Sequence, residues 1–507
     1  MDPAGLAVLL ARLSGVADEG LAVLRRSASS PNINERVDCS TAVFSASGEL
    51  LAQSESIPVH LGSMPASVHA VIAALGAVAE GTQAVVNDPY AGGTHLNDVT
   101  VVAPVHAAGD LIGWVANRAH HADVGGTAPG SMPADATHID DEGIRIPPSL
   151  LDADLRARFI AASRTPEERA GDFDAQSGAN RVMVQRFAEI VAEGWPLDEV
   201  LAYGERRMRA ALGGLPDGVW RFADVIDSTG VDAPPATIRL DVRVRGDEVI
   251  FDFSGTDAQS AGNVNAVEAV TISAVQFALR SATDPSIPAN GGAMRPVRVV
   301  APPGSIVAAT YPAAVGAGNV EVSQRVADVC LGALAQIAPD RVGAASQGTM
   351  NNLLIGGAGF VYYETVAGGQ GGRPNGAAGQ SGVHTAMTNT QNTPVEALER
   401  AFPLRVRRYR LRRGSGGAGM APGGDGVERD LEVLVDCTAS LITERRQSQP
   451  WGLAGGQPGA VGENWLLRGG DEAGAERLAD KCTVELRAGD VVRTLTPGGG
   501  GWGSPRR

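Results

Sequence analysis

The chain has 507 residues, too many for one hydrophobic core, so we expect two or three domains. Its formal net charge of −15 repels nucleic acid, and no long basic run offsets that charge. The sequence contains no run of about 18 apolar residues and therefore predicts no membrane span. The N-terminus lacks the basic leader of a signal peptide. The four cysteines form neither a CxxC pair nor a disulfide framework, which favours a cytoplasmic location.

The first third of the chain alternates helices and hairpins. Leucines at helical spacing predict a helix over residues 4–26. The stretch RVDCSTAVFSASGELLAQ (36–53) is typical of a hairpin. Next, a helix is predicted from Pro65 to a stop at Gly81.

A second hairpin is predicted from two apolar runs, VTVVAPVHAA and LIGWVANRAH, joined at Gly109-Asp110. A turn centred there pairs Asp98 with Ala119 and Asn97 with His120. This register places the loop before the first strand beside the end of the second strand.

The rest of the chain mixes helices and strands. Periodicity predicts helices over 181–195, 197–215 and 323–339 and a hairpin over 237–255. The Gly-rich stretch 367–382 is predicted to be a mobile loop. The fold class is therefore α+β, multidomain, with mixed sheets, hairpins and packed helices and a β-rich C-terminal part. We divide it into an N-terminal α/β metal-site domain (1–220), a central α+β domain (221–430) and a β-rich C-terminal segment (431–507).

A group of histidines and aspartates at the second hairpin suggests a metal site. His95 and Asp98 lie three residues apart in a glycine-preceded turn, and His120 approaches across the hairpin. Asp38 is a possible fourth ligand, although spacing alone does not bring it there. Such ligands suit Zn²⁺, Mn²⁺ or Fe²⁺. A hydrogen-bonded structural cluster and unrelated surface residues are the alternatives.

Three nearby residues are candidates for supporting roles. His121 is either a proton-transfer group or a residue turned away from the site, because neighbours on a strand face opposite sides. Asp123 either orients an imidazole or caps the turn before Gly125. His60, in IPVHLGSMP, is either a substrate contact or a packed loop residue.

Two nucleotide-binding motifs are excluded. GSGGAG (414–419) matches GxGxxG, but no helix is predicted after it. The single lysine, Lys481, lies in ADKCTV and not in the GK[ST] setting of a P-loop. We therefore expect no ATP site of these types in this chain.

Several motifs together resemble the hydantoinase B family. They occur in order along nearly the whole chain: RVDCSTAVFSASGELLAQ, IPVHLGSMP, NDPYAGGTHLNDV, HHADVGG, EGIRIPP, IPANGGAMRPVRV, NTQNTPVEALE and TPGGGGWGSP. That family includes the B-type subunits of ATP-dependent hydantoinases, 5-oxoprolinases and caprolactamase-type enzymes. It also includes the α subunits of acetone and acetophenone carboxylases.

The resemblance implies a division of labour between two subunits. A hydantoinase A-type ATPase partner, which binds ATP and Mg²⁺, phosphorylates the carbonyl oxygen of a cyclic amide. The B-type subunit then completes the reaction at a divalent metal. The family's metal ligands map onto Asp38, His95, Asp98 and His120. Around such a site, His121 and Asp123 are the candidates for proton transfer and His60 is the candidate for a substrate contact.

We therefore expect the chain to be the metal-bearing subunit of a hetero-oligomeric hydrolase of hydantoin, 5-oxoproline or lactam rings, located in the cytoplasm as the cysteines suggest. The alternative within enzymes is a subunit of an ATP-dependent acetone- or acetophenone-type carboxylase. The alternative outside enzymes is a scaffold whose metal only stabilises the fold. Neither reading predicts binding to nucleic acid or to a membrane.

Overall fold

The computed structural model describes residues 1–505, which form ten α-helices and four sheets. The helices are α1 (Pro3–Ser27), α2 (Pro31–Asn34), α3 (Met64–Leu75), α4 (Ala153–Ala162), α5 (Pro166–Ala192), α6 (Asp198–Leu212), α7 (Glu268–Ala282), α8 (Gly291–Met294), α9 (Ser323–Ile337) and α10 (Val395–Ala401). The mixture of helices with several sheets confirms the α+β multidomain fold class.

The first sheet has six antiparallel strands in the order β2-β1-β5-β4-β3-β6. They are β1 (Cys39–Ser45), β2 (Leu50–Gln53), β3 (Ala84–Val86), β4 (Asp98–Ala107), β5 (Asp110–His120) and β6 (Ser149–Leu150). Helices α1 and α5 bury apolar side chains on one face, and α3 packs Met64, Val68 and Val71 on the other. Burial on both faces makes this sheet the rigid platform on which the start of β4 lies beside the end of β5.

The predicted helix over 65–81 is too long. Helix α3 ends at Leu75 because Gly76 takes a left-handed φ of 62°, so the chain leaves the helix five residues before Gly81. The segment Pro58–Leu75 is long and apolar enough to cross a membrane by composition alone, with a mean hydropathy of 1.2. A core helix passes the same criterion, and α3 packs on the first sheet.

The second sheet follows the order β10-β9-β8-β7. Its strands are β7 (Gly218–Ile226), β8 (Ala236–Arg245), β9 (Glu248–Asp252) and β10 (Val297–Val300), and only β9 and β10 run parallel. Strands β8 and β9 confirm the predicted hairpin over 237–255. Helix α9, the predicted 323–339 helix, packs on β7 and β8, and α7 packs on α9.

Two further sheets share one apolar core. The third has the order β12-β11-β15-β18 and the fourth β13-β14-β19-β16-β17. Their strands are β11 (Asn352–Gly357), β12 (Phe360–Thr365), β13 (Leu404–Arg412), β14 (Gly426–Val433), β15 (Cys437–Ile442), β16 (Glu463–Leu467), β17 (Glu476–Leu478), β18 (Lys481–Leu486) and β19 (Val491–Leu495). The predicted boundaries at 220/221 and 430/431 fall inside β7 and β14. The three-domain division stays a prediction, and we propose moving both boundaries out of these strands.

The expectation of a mobile loop at 367–382 is wrong. This stretch packs with residues 414–426, 452–460 and 497–503 into what we call the glycine-rich bundle. Backbone hydrogen bonds join the segments, including Gly372 N–H to Gly500 O (2.9 Å), Gly424 N–H to Gln370 O (2.8 Å) and Gly499 N–H to Gly424 O (3.0 Å). Glycine is needed because the backbones approach so closely that a Cβ on Gly499 would lie 2.1 Å from the Gln370 carbonyl oxygen.

Candidate metal centre

The β4–β5 hairpin brings two of the predicted ligands directly opposite each other. Asp98 begins β4 and His120 ends β5, and the two are paired in the ladder, with Val99 opposite Ala119. The predicted register, with Asp98 opposite Ala119, is therefore wrong by one residue. An irregularity between Val105 and His106 near the turn shifts the pairing. The shift brings the Asp98 and His120 side chains closer than the prediction had them.

His95, Asp98 and His120 form a compact buried cluster. His95 Nε2 lies 3.3 Å from Asp98 Oδ1, His120 Nδ1 lies 3.4 Å from the same oxygen, and the two ring nitrogens are 3.2 Å apart. These three side chains offer ligand atoms that all lie within 4.8 Å of one another. Ligands bound at about 2.1 Å around one ion lie roughly 3.0–3.4 Å apart. The three atoms are therefore spaced as a metal site requires.

His60 and Asp38 reach the same small cavity. The 3₁₀ turn Pro58–His60 places His60 Nε2 3.5 Å from Asp98 Oδ2, while Ser40 Oγ lies 2.8 Å from His60 Nδ1. Asp38 precedes β1, and its backbone oxygen accepts a hydrogen bond from His120 N–H at 3.0 Å. Its side chain lines the cavity with the cluster. Thus all four predicted ligands and the predicted substrate contact surround one cavity of about 20 Å³.

The backbone before Asp38 is strained. Val37 has φ of 57°, a left-handed conformation that is unfavourable for a β-branched side chain. The turn carries the chain from α2 into β1 and directs Asp38 toward the cavity wall. Such strain persists only where surrounding contacts hold it, and Val37 packs against an apolar cluster that includes Leu24, Ile33 and Ala119.

The electrostatics of the cluster favour an ionised Asp98 beside a neutral His120. Burial by itself would raise the pKa of Asp98, but His95, His120 and His60 hold that pKa well below its usual range. Burial lowers the pKa of His120, although its contact with Asp98 partly opposes this. Metal ligands must be deprotonated carboxylates and neutral imidazoles, so these protonation states suit a cation.

His121 faces away from the cluster. Its ring packs against Phe159 and Phe173, and its Nε2 lies 3.0 Å from Gln176 Oε1. Burial, followed by the charge of Arg169, lowers the pKa of His121 to about 4. This pocket separates His121 from the cluster cavity, which His120, the last residue of β5, lines.

Asp123 is a buried anchor for the turn after β5. Its Oδ1 accepts hydrogen bonds from the backbone N–H groups of Gly125 (3.2 Å) and Arg164 (2.9 Å). Its Oδ2 accepts from Gly130 N–H at 3.1 Å and from the Arg164 guanidinium at 2.9 Å. Neither Asp123 nor His121 lines the cluster cavity. Their predicted proton-transfer roles stay predictions.

Two residues that sequence reasoning missed complete the cavity. The Tyr363 ring stacks on His120 with centroids 4.6 Å apart and planes 11° apart, and its hydroxyl donates to Asn352 Oδ1 at 2.9 Å. Asn319 lies on a π-helical turn, Gly318–Val322, with Nδ2 3.5 Å from Asp98 Oδ2. Both come from distant parts of the chain, and no local spacing points to them.

A family model for hydantoinase B/oxoprolinase matches residues 2–505. The chain belongs to the hydantoinase B/oxoprolinase family. This confirms the resemblance drawn from the motifs, and the match extends over the described residues.

Three curated relatives show how the family's members differ in length. An uncharacterized protein of Methanocaldococcus jannaschii is 39% identical, over 100% of this chain and 91% of that protein. 5-Oxoprolinase 1 of Arabidopsis thaliana is 37% identical over 99% of this chain but only 42% of its own length. A putative B-type subunit of a D-/L-hydantoinase from a Pseudomonas strain is 31% identical over 100% of this chain and 90% of that protein. The chain therefore spans less than half the length of the matched 5-oxoprolinase.

Two solved structures share the fold. The ATP-dependent caprolactamase of Pseudomonas jessenii superposes with a TM-score of 0.93 at 28% identity, covering 99% of this chain and 91% of that chain. A nucleotide-free acetone carboxylase gives a TM-score of 0.90 at 20% identity, covering 99% of this chain and 76% of that one. The second likeness concerns the fold alone.

Proposed function

We propose that this hydantoinase B family chain is the metal-bearing subunit of an ATP-dependent cyclic-amide hydrolase. The observation that carries the proposal is the convergence of His95, Asp98 and His120 in a buried cavity. Relatives named 5-oxoprolinase and hydantoinase supply the substrate class: hydantoin, 5-oxoproline or lactam rings. The likeness to an ATP-dependent caprolactamase supports the dependence on ATP.

The proposed division of labour follows from the difficulty of the reaction. An amide resists attack because its nitrogen donates electrons to the carbonyl carbon. Phosphorylation of the carbonyl oxygen by an A-type ATPase partner, which binds ATP and Mg²⁺, would remove that resonance. This chain would then receive the activated ring. A hetero-oligomer is therefore part of the proposal.

The residues of this chain would hold a metal ion and orient its ligands and the substrate ring. His95, Asp98 and His120 would bind a divalent ion, with Asp38 as a fourth ligand, and the mixed N/O set suits Zn²⁺, Mn²⁺ or Fe²⁺. Such an ion supplies Lewis acidity toward a carbonyl oxygen and a water molecule. Tyr363 would fix the His120 ring by stacking, and Thr94 Oγ1 and Asn319 would orient Asp98 through its second oxygen. His60 would contact the ring at the cavity wall.

We also propose a cytoplasmic location. All four cysteines are free within residues 1–505, as in a reducing compartment.

The test compares wild type with His120→Ala and with a control, His69→Ala, which removes an exposed histidine on α3. Bound metal and ATP-driven hydrolysis with the partner are measured on hydantoins, 5-oxoproline and lactams. We expect His120→Ala to lose metal and at least about 100-fold in activity, since even outer contacts of metal ligands are worth 10–100-fold. His69→Ala should retain both. Full metal content and full activity in His120→Ala would refute the proposal.

The same assay distinguishes the two other functions. Bicarbonate-dependent consumption of a ketone would indicate a carboxylase subunit. A scaffold would lose thermal stability on chelation, while variants of the ligands would still support the partner's complete reaction.

A further inference from the structure

The cavity at the cluster is too small for the proposed substrate. Its volume of about 20 Å³ accommodates an ion or a single water molecule. A six-membered ring such as benzene occupies a cavity of about 150 Å³. A cyclic amide can reach the cluster only if one wall of this cavity moves.

A larger cavity lies on the other side of one such wall. It is an open cleft of about 550 Å³, within the size range of ligand pockets. Ala386 and Asn389 line the cleft, Met387 lines the cluster cavity, and Thr388 lines both. The wall, which we define as residues 386–389, is therefore one residue thick.

A second segment, residues 57–59, also lies between the two cavities. Ile57 and Val59 face the cluster cavity, whereas Pro58 faces the cleft. The wall is joined to the start of this segment by a hydrogen bond from Asn389 Nδ2 to the Ser56 carbonyl oxygen, 3.3 Å long and exposed to solvent. Breaking this single bond costs little because water replaces it.

The wall itself is anchored at its ends and strained between them. Gln324 Nε2 donates to the Thr385 carbonyl oxygen at 3.1 Å, and the hydroxyl groups of Thr390 and Thr365 lie 2.7 Å apart. Between these anchors, Ala386 has φ of 54°, a left-handed conformation that an alanine rarely adopts. This bend turns Met387 into the cluster cavity.

Thr388 carries an unsatisfied polar atom at the threshold between the cavities. The residue is only 3% exposed, and its Oγ1 has no hydrogen-bond partner within residues 1–505. Buried hydroxyl groups without partners are costly and rare in folded proteins. A ligand passing between the cleft and the cluster would supply the missing partner.

We propose that the cleft is the access route of the ring substrate and that the wall opens against Pro58 to admit it. Thr388 Oγ1 then hydrogen-bonds the amide of the ring at the threshold. The inference rests on the proposed function for the identity of the ring, but the access route itself does not require that identity. Arg373 also lines the cleft with a buried Nε that has no partner, which suits a substrate carrying a phosphoryl group.

The first experiment tests access without metal or turnover. Met387→Cys places a thiol on the cluster side of the wall, and its labelling by iodoacetamide is followed in metal-free protein. Adding Asn389→Ala should accelerate labelling about fivefold, because losing a bond of about 1 kcal/mol shifts the opening equilibrium by that factor. The control is Ser281→Ala, which lies in the cleft but outside the wall. Equal labelling rates in the Asn389→Ala and Ser281→Ala backgrounds would overturn the access route.

The second experiment tests the role of Thr388. Thr388→Val keeps the shape of the side chain, and we expect kcat/KM for the cyclic amide to fall about 5–10-fold without a loss of Tm. Thr388→Ser should restore most of the activity. An unchanged kcat/KM in Thr388→Val would overturn the substrate contact. If no amide is hydrolysed, the proposed function fails while labelling still decides the access route.

Discussion

The region around the candidate metal site and the glycine-rich bundle are held together by opposite means. Around the site, buried carboxylates accept backbone N–H groups: Asp123 fixes the turn after β5, and Glu142 Oε1 and Oε2 accept from Gly316 N–H (2.7 Å) and Val315 N–H (3.2 Å). In the bundle, backbone N–H groups bond to backbone carbonyl oxygens of other segments. The region around the site depends on particular side chains, whereas the bundle depends on the absence of side chains.

Carboxylate side chains position loops accurately, whereas glycine backbones allow close packing. A carboxylate side chain accepts hydrogen bonds in defined directions. It can therefore hold a loop, such as the one leading to Asn319, in a fixed position beside the His95, Asp98 and His120 cluster. Glycine has no side chain to direct such contacts, but it allows segments to pack at distances that side chains would prevent. We therefore expect the two regions to respond differently to added volume and to pH.

The largest expected effect is a methyl group added inside the bundle. Gly499→Ala would place a Cβ 2.1 Å from the Gln370 carbonyl oxygen and 2.7 Å from Gly371 N, both parts of a rigid backbone. We expect the free energy of unfolding to fall by about 3 kcal/mol or more, measured by denaturant titration.

Gly178→Ala is the matched control. Gly178 lies within α5, and nothing lies within 4 Å of an added Cβ. Alanine is the better helix former, so this variant should gain up to about 1 kcal/mol. Similar losses in both variants would mean that close backbone packing does not hold the bundle together.

The next effect concerns Asp123, which anchors the site region. Asp123→Asn removes the charge facing Arg164 and one acceptor for a backbone N–H. We expect a loss of about 2 kcal/mol in the free energy of unfolding, with kcat per folded molecule nearly unchanged. A large fall in kcat at unchanged stability would instead support the proton-transfer role predicted from the sequence.

The smallest effect, taken per pH unit, is a difference in pH dependence. Burial raises the pKa of Glu142 from 4.5 to about 8, despite the opposing backbone hydrogen bonds from Gly316 and Val315. The folded state therefore holds a proton that the unfolded state releases, and this contribution to stability is present below pH 4.5 and lost as the pH rises toward 8.

Glu142→Gln should remove this slope, which we expect to be about 1 kcal/mol per pH unit. Denaturant titrations of both proteins across that interval measure it. Parallel curves for wild type and variant would show that Glu142 does not contribute. Gly499→Ala, in contrast, should lower stability by a similar amount at every pH.

The sequence predicted the parts of the site that lie close together in the chain. His95, Asp98 and His120 were found because one hairpin carries them, and its strands alternate strongly enough to be recognised. The register was wrong by one residue because the irregularity at Val105 and His106 leaves no signature in the residue types. The direction of His121 followed from strand alternation, but its apolar pocket did not.

The parts contributed from a distance were not predictable by spacing. Asp38 was a candidate by residue type, but only the family resemblance assigned it as a ligand. Tyr363, Asn319 and the wall at 386–389 lie on other sheets and loops. The bundle was mistaken for a mobile loop because glycine is typical of both flexible linkers and tightly packed backbones. Only the partners, which lie far along the chain, distinguish the two cases.

The bundle also determines when this chain can finish folding. Segment 497–503 bonds with residues 345, 372, 417 and 424, so the segments made earlier wait for it during synthesis. Contacts between residues so far apart in the chain form slowly. During that delay the waiting segments expose mainly glycine and other small residues, with Met420 and Leu453 as the few large apolar side chains, and this composition limits aggregation until segment 497–503 has been made.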